Sequence, residues 1–289
     1  MKFIYFPETG YGQTQARNQP LFARQNLVAW CIVPFDIKNR DSEERAQMLK
    51  RLGITKLAYD WREKNIPGFD DELNALNKYH IDLQAFWLMS GTDAGRDKNV
   101  EAVFSFLSRR HVKTQIWLML SPDDAFDHLS QIQKVDSASK SVKYIVEAAA
   151  RLGCTVGLYN HNGWFGEPDN QLAIIEKLHL PNLGMVYNFN HAQDQITRFA
   201  EFYPSILPYL LAINLAGLRK GDQRIYPINK GDSELEMIRI ISGSAYRGPI
   251  GIINEDTDPD AEKGLEMNLE GLKEILKEIG DEPALKTYR

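Results

Sequence analysis

A chain of 289 residues, 43% hydrophobic and 25% charged, can bury a large core, and about 250 residues is the usual size of one closed α/β barrel. The formal net charge of −5 and the lack of any run of five Lys or Arg give no general attraction to phosphate backbones, so nucleic acid is not an expected partner. No stretch approaches the roughly 18 apolar residues of a membrane span, and the two cysteines, Cys31 and Cys154, read as small buried hydrophobes rather than a disulfide framework.

The apolar start of the chain is cut short by Pro7 and Glu8 before a signal-like core forms. A cytoplasmic location is expected, with export of a mature form as the alternative. From residue 27 on, short apolar runs alternate with amphipathic segments, the pattern of βαβ units on a parallel sheet. The first strand is predicted over 27–36, and its helix opens at Asp41 and Ser42, turns Ala46, Met48, Leu49 and Leu52 inward and stops at Gly53. Further strands are predicted over 56–61, 82–89, 114–120, 155–160, 183–189, 211–215 and 248–254. The second helix begins near Phe69, and the others cover 99–110, 137–152, 170–178, 193–202, 233–242 and 259–278; Gly153 ends the fourth and Pro204 interrupts the sixth.

Eight apolar strands, each followed by a helix, imply a single (β/α)8 TIM barrel over 27–289 with an N-terminal extension over 1–26. An open doubly wound sheet is the competitor, and no Gly-x-Gly-x-x-Gly follows any strand to support its dinucleotide-binding form.

Barrel enzymes work at the C-terminal ends of their strands. Those positions carry Asp60 and Trp61 beside Arg62, Asn160 and His161, Asn188 and His191, Asn214 with Arg219 and Lys220 beyond, and Glu255 followed by Asp256. All five tryptophans fall in or just past the first five strands. Indole faces stack on sugar C–H faces and amides satisfy hydroxyls, so the expected partner is a small carbohydrate or polyol. Trp30 and Trp117, inside their strands, are expected to fill the barrel; Trp61, Trp87 and Trp164 lie nearer the mouth. His80, His111 and His179 fall at helix ends facing away from it, whereas His161, His191 and Glu255 are the catalytic candidates for proton transfer. Asp60, Trp61, Trp87, Asn160, Asn188, Asn214, Arg219 and Lys220 are the binding candidates. Asp258, Pro259 and Asp260 read as the acidic cap of the last helix.

Tyr159-Asn160-His161, Asn188-Phe189-Asn190-His191 and the run from Gly248 to Asn254 resemble the xylose isomerase-like barrel superfamily, which includes sugar phosphate isomerases and epimerases and metal-dependent apurinic endonucleases. The resemblance implies a divalent metal held by Glu, Asp, His and Glu at the ends of the fifth to eighth strands. Here those places fall on Tyr159 or Asn160, on Asn188, on Asn214, and on Ile253 or Asn254 unless Glu255 slips into register. Neutral amides and a phenol compensate a hard cation poorly, so no cofactor is expected; the alternative is a divalent ion on His161, His191 and Glu255.

Three functions compete. One is an isomerase or epimerase in which His191 or Glu255 moves a proton beside a carbonyl, Asn160, Asn188 and Asn214 hold hydroxyls, and Arg219 and Lys220 grip an anionic group. The others are a non-catalytic carbohydrate-binding barrel and a lyase acting on oxidised sugars.

Overall fold

The computed structural model describes residues 19–161, 163–255 and 257–288. In chain order its elements are β1 (Leu27–Trp30), α1 (Ser42–Arg51), β2 (Lys56–Tyr59), α2 (Phe69–Tyr79), β3 (Asp82–Ser90), α3 (Lys98–Arg109), β4 (Gln115–Leu120), α4 (Asp124–Asp127) and α5 (Gln131–Leu152). There follow β5 (Thr155–Tyr159), α6 (Pro168–Leu178), β6 (Leu183–Asn188), α7 (Phe199–Ile206), β7 (Leu210–Leu215), β8 (Gly217–Arg219), β9 (Asp222–Tyr226), α8 (Glu234–Ser242), β10 (Ile250–Ile253), α9 (Ala261–Ile279) and α10 (Glu282–Leu285). Eight parallel strands close into a barrel in the order β1-β10-β7-β6-β5-β4-β3-β2. The predicted (β/α)8 architecture is the one observed.

Residues partnered across parallel strands share a face, so the register fixes what fills the barrel. Trp87, Trp117 and Gly157 align across β3, β4 and β5, and Trp30 of β1 meets Trp117 with ring centroids 4.9 Å apart, which places this set inside. Following the register round, Tyr159, Val186, Asn188, Asn214, Gly251 and Ile253 also face inward. Bulky groups on one side are matched by glycines on the other, as close packing requires.

Local chemistry sets the helix ends. Asp41 and Glu44 form a capping box on α1, Ser130 and Gln133 form one on α5, and Asp260 caps α9 as expected. His80 and His179 are the left-handed C-caps of α2 and α6, with φ of 56° and 49°, and His111 adopts φ 52° just past α3. All three sit at helix ends, as predicted.

Beyond the short added helices α4 and α10, the structure departs from the predicted elements at four places. β1 ends at Trp30 because Cys31 takes a left-handed conformation, φ 55°, and the apolar residues 32–35 continue as a loop. Helix α5 starts six residues earlier than predicted, at Gln131, because the Ser130 capping box nucleates it. The sixth helix is a 3-10 segment over Gln193–Arg198 followed by α7, which carries Pro204 and continues to Ile206. An antiparallel hairpin, β8 with β9, which is not among the predicted strands, follows β7 and turns at Gly221, φ 75°. Among the described residues, no helix is long and apolar enough to cross a membrane.

Candidate functional site

Four aromatic side chains from separate strands floor the C-terminal mouth. Trp30 lies 5.6 Å from Trp87 and 5.8 Å from Tyr159, and Trp87 lies 4.9 Å from Tyr159, mostly edge to face. Trp30, Trp117 and Tyr159 are buried, while Trp87 is half-buried and is the accessible indole of the group. Trp61 lies elsewhere: it packs against Phe69 and Phe86 between strands and helices, its indole N–H donating to the Trp87 carbonyl at 2.7 Å. Trp164 stands on the rim, bonded to Gln131 at 2.7 Å.

Above this floor the amides are largely spoken for. Asn160 is fully buried and spends its side chain on the Asn188 backbone, donating to the carbonyl at 3.1 Å and accepting from the N–H, so it clamps β5 to β6. Asn188 accepts the Asn190 N–H at 3.0 Å and donates to the Tyr159 hydroxyl. Asn214 is fully buried, with both amide atoms lacking a partner among the described residues; a Cβ on the neighbouring Gly251 would lie 1.9 Å from its Oδ1. A buried amide in this state needs a water or a ligand group to complete it.

Glu255, just past β10, accepts from Asn190 Nδ2 at 2.8 Å and from the Cys31 thiol at 3.7 Å. Asn190 and Cys31 escaped the sequence reading. Asn190 lay in view inside the quoted string between Asn188 and His191, but only the 3-10 turn over Phe189–His191 brings it to Glu255. Cys31 reaches the same carboxylate because its left-handed turn redirects the chain. Burial first, and then the Asp60 and Glu255 carboxylates, hold its thiol well above the ordinary value, so it acts as a neutral donor.

His161 and His191 come together, ring centroids 4.1 Å apart. Burial lowers the pKa of both; Arg62 adds to the shift at His161, while proximity to His161 helps bring His191 to about 3. Near neutral pH His191 is a neutral imidazole, with one N–H donor and one acceptor. The loop carrying His161 tolerates no side chain at Gly166, where a Cβ would lie 1.5 Å from the His161 carbonyl oxygen. Gly166→Ala should therefore displace His161 and cost about 1–3 kcal/mol; a urea melt unchanged from that of the unmodified protein would contradict this.

Asp60 is 1% exposed; its Oδ1 accepts the Val33 N–H at 3.3 Å and its Oδ2 has no partner among the described residues. The Arg62 guanidinium donates to the Asp60 and Trp61 carbonyls rather than to the carboxylate. Burial raises the Asp60 pKa from 3.8 to about 7. The folded state thus favours the protonated acid, and Asp60 costs stability progressively as pH rises from 3.8 through 7. Asp60→Asn removes that cost, so its stability relative to the unmodified protein should grow by about 3 kcal/mol between pH 5 and pH 8, at roughly 1.4 kcal/mol per pH unit up to the folded pKa. Parallel pH–stability curves would contradict it. His191 contributes with the opposite sign: its lowered pKa means stability is lost as pH falls from 6.5 toward 3.

Arg219 and Lys220 sit on the hairpin, exposed; the Arg219 guanidinium lies 4.1 Å over the Tyr226 ring and donates to the Lys230 carbonyl at 2.8 Å. Asp256 lies outside the described residues. Among those described, no three His, Cys, Asp or Glu side chains gather so as to hold a metal ion.

A family model described as xylose isomerase-like TIM barrel matches residues 34–275. No curated protein matches in sequence. Among solved structures, a xylose isomerase-like TIM barrel protein from Mycobacterium smegmatis in complex with magnesium is 14% identical, with a TM-score of 0.61 over 95% of this chain and 99% of that one. The 3-keto-D-glucoside 4-epimerase of E. coli is 14% identical, TM-score 0.64, over 88% and 99%. A probable 3-DHS dehydratase from Bacillus anthracis is 14% identical, TM-score 0.66, over 85% and 98%. At such identities the likeness is one of fold.

Proposed function

This chain belongs to the xylose isomerase-like TIM barrel family, and from that premise we propose that its barrel mouth binds a sugar or sugar-like polyol and moves a proton next to the carbonyl, as an isomerase or epimerase does. The observation that carries the reading is the Glu255 carboxylate fixed by Asn190 and Cys31, with Asn190 directly followed by His191 of the imidazole pair. Glu255 takes the proton from the carbon beside the carbonyl, and the electron pair moves onto the carbonyl oxygen. The N–H of a neutral imidazole then stabilises the enolate. Return of the proton to the former carbonyl carbon, while the hydroxyl proton of the adjacent carbon passes to the enolate oxygen and leaves a new carbonyl there, gives the isomer; return to the opposite face of the same carbon gives the epimer.

A divalent ion does not fit the donors present. Tyr159, Asn188, Asn214 and Ile253 stand at the inward-facing strand ends where carboxylates and an imidazole would hold it, none of the four carries negative charge to compensate a hard cation, and among the described residues His161, His191 and Glu255 do not gather as a ligand set. Hydrogen-bond donors do the stabilising instead. Trp87 offers an indole face to the sugar, and Asn214 a hydrogen-bonding amide.

A second reading, a carbohydrate-binding barrel without turnover, is favoured by Asn160 having both amide atoms engaged by backbone. A lyase would share the first proton abstraction and then expel a hydroxyl. Calorimetric titration with a panel of ketoses and aldoses, with product analysis of each mixture, separates these: binding with conversion supports the proposal, binding without conversion supports the second reading, and neither binding nor conversion contradicts both.

A further inference from the structure

The Tyr159 hydroxyl receives two N–H donors at once. Trp30 Nε1 donates at 3.0 Å, and an indole nitrogen can only donate. Asn188 Nδ2 is the second donor; the orientation of that amide is fixed because its Oδ1 accepts the Asn190 N–H at 3.0 Å. A phenol oxygen accepts through its lone pairs, and both are taken. Its own O–H is left to donate, and no described residue accepts it. The ring is packed among Trp30, Trp87 and Trp117, and its centroid lies 5.9 Å from that of His191, so the Tyr159 side chain stands next to the imidazole pair.

From this geometry, and resting on the reading that the mouth enolises a sugar, we infer that Tyr159 donates its hydroxyl hydrogen bond to the substrate's reacting oxygen, in the place on β5 where a metal-ligating carboxylate would otherwise stand. Burial foremost, with the neighbouring Cys31, holds the phenol well above its ordinary value, so it keeps its proton and acts as a donor, not as a base. The two N–H groups on its oxygen polarise the O–H and strengthen the bond it gives as charge develops. No proton is transferred: the O–H stays intact while the carbonyl oxygen gains charge.

The test follows solvent deuterium entering D-fructose at the carbon beside the carbonyl, by NMR, in the unmodified protein, Tyr159→Phe and Asn188→Asp. The phenylalanine keeps the ring packing and loses the donor. The aspartate keeps the hydroxyl and gives it a carboxylate to bond, turning its proton away from the mouth. Both are expected to lower kcat about 100-fold with KM changed less than about 3-fold, the split expected of a group acting on the transition state. Exchange within about 3-fold of the unmodified protein in a folded Tyr159→Phe overturns the inference and leaves the proposed function standing. Full exchange in folded Asn188→Asp overturns it even if Tyr159→Phe fails to fold. No exchange in the unmodified protein with D-fructose or with any other sugar of the ketose and aldose panel overturns both.

Discussion

Replacing Glu255 with glutamine is expected to lower the rate of proton exchange on a bound sugar by about 1,000-fold, the middle of the range for losing a positioned general base. The substitution preserves shape, and glutamine's carbonyl oxygen can still accept from Asn190 Nδ2, so the fold and the sugar affinity should hold. The loss should therefore appear in kcat and not in KM. It is measured as deuterium incorporation by Glu255→Gln at saturating sugar, with binding checked by calorimetry. A variant that binds normally and exchanges within about 3-fold of the unmodified rate would remove Glu255 from the chemistry and direct attention to Asp60, the buried carboxyl just past β2.

Arg40→Met is expected to cost about 3–5 kcal/mol of stability, the usual result of stripping one partner from a buried ion pair. Arg40 Nη1 contacts both oxygens of Asp36, at 2.7 and 2.9 Å, and Nη2 contacts Asp260 at 2.7 Å and Glu262 at 3.0 Å. The Arg40 and Asp36 side chains are only 6% and 1% exposed, so methionine would leave a desolvated carboxylate behind. The network joins the loop after β1 to the N-terminus of α9, locking the first unit of the barrel to the last on the side where Glu255 emerges. Urea unfolding at neutral pH reads the loss; a midpoint unchanged within error would mean that solvent reaches Asp36 in solution.

The barrel was legible because its signals are local and repeated: an apolar run, a capped amphipathic helix and a stop, eight times over. Errors fell where one residue overrode the pattern. Cys31 cut the first strand by adopting a left-handed backbone that its residue type seldom takes, and the β8–β9 hairpin carries too few apolar residues to stand out from loop. The candidate site was legible as a list and not as a set of partnerships. Position in the string shows that Asn160 ends a strand; it cannot show that both of its amide atoms serve the Asn188 backbone. His161 and His191, 30 residues apart in sequence, meet because β5 and β6 are neighbours, which the repeat order implied. The Glu255–Asn190–Cys31 contact and the Tyr159 hydroxyl with two donors depend on turns and rotamers that no spacing rule encodes.

The proposed chemistry is enolisation of a sugar by protein donors and Glu255, without a divalent ion. The most direct measurement is deuterium wash-in to D-fructose by chelator-treated protein, followed by NMR, with and without added Mg²⁺ or Zn²⁺. Exchange at an equal rate in the chelated and metal-supplemented samples is the predicted result. Exchange that vanishes on chelation and returns with metal would contradict it.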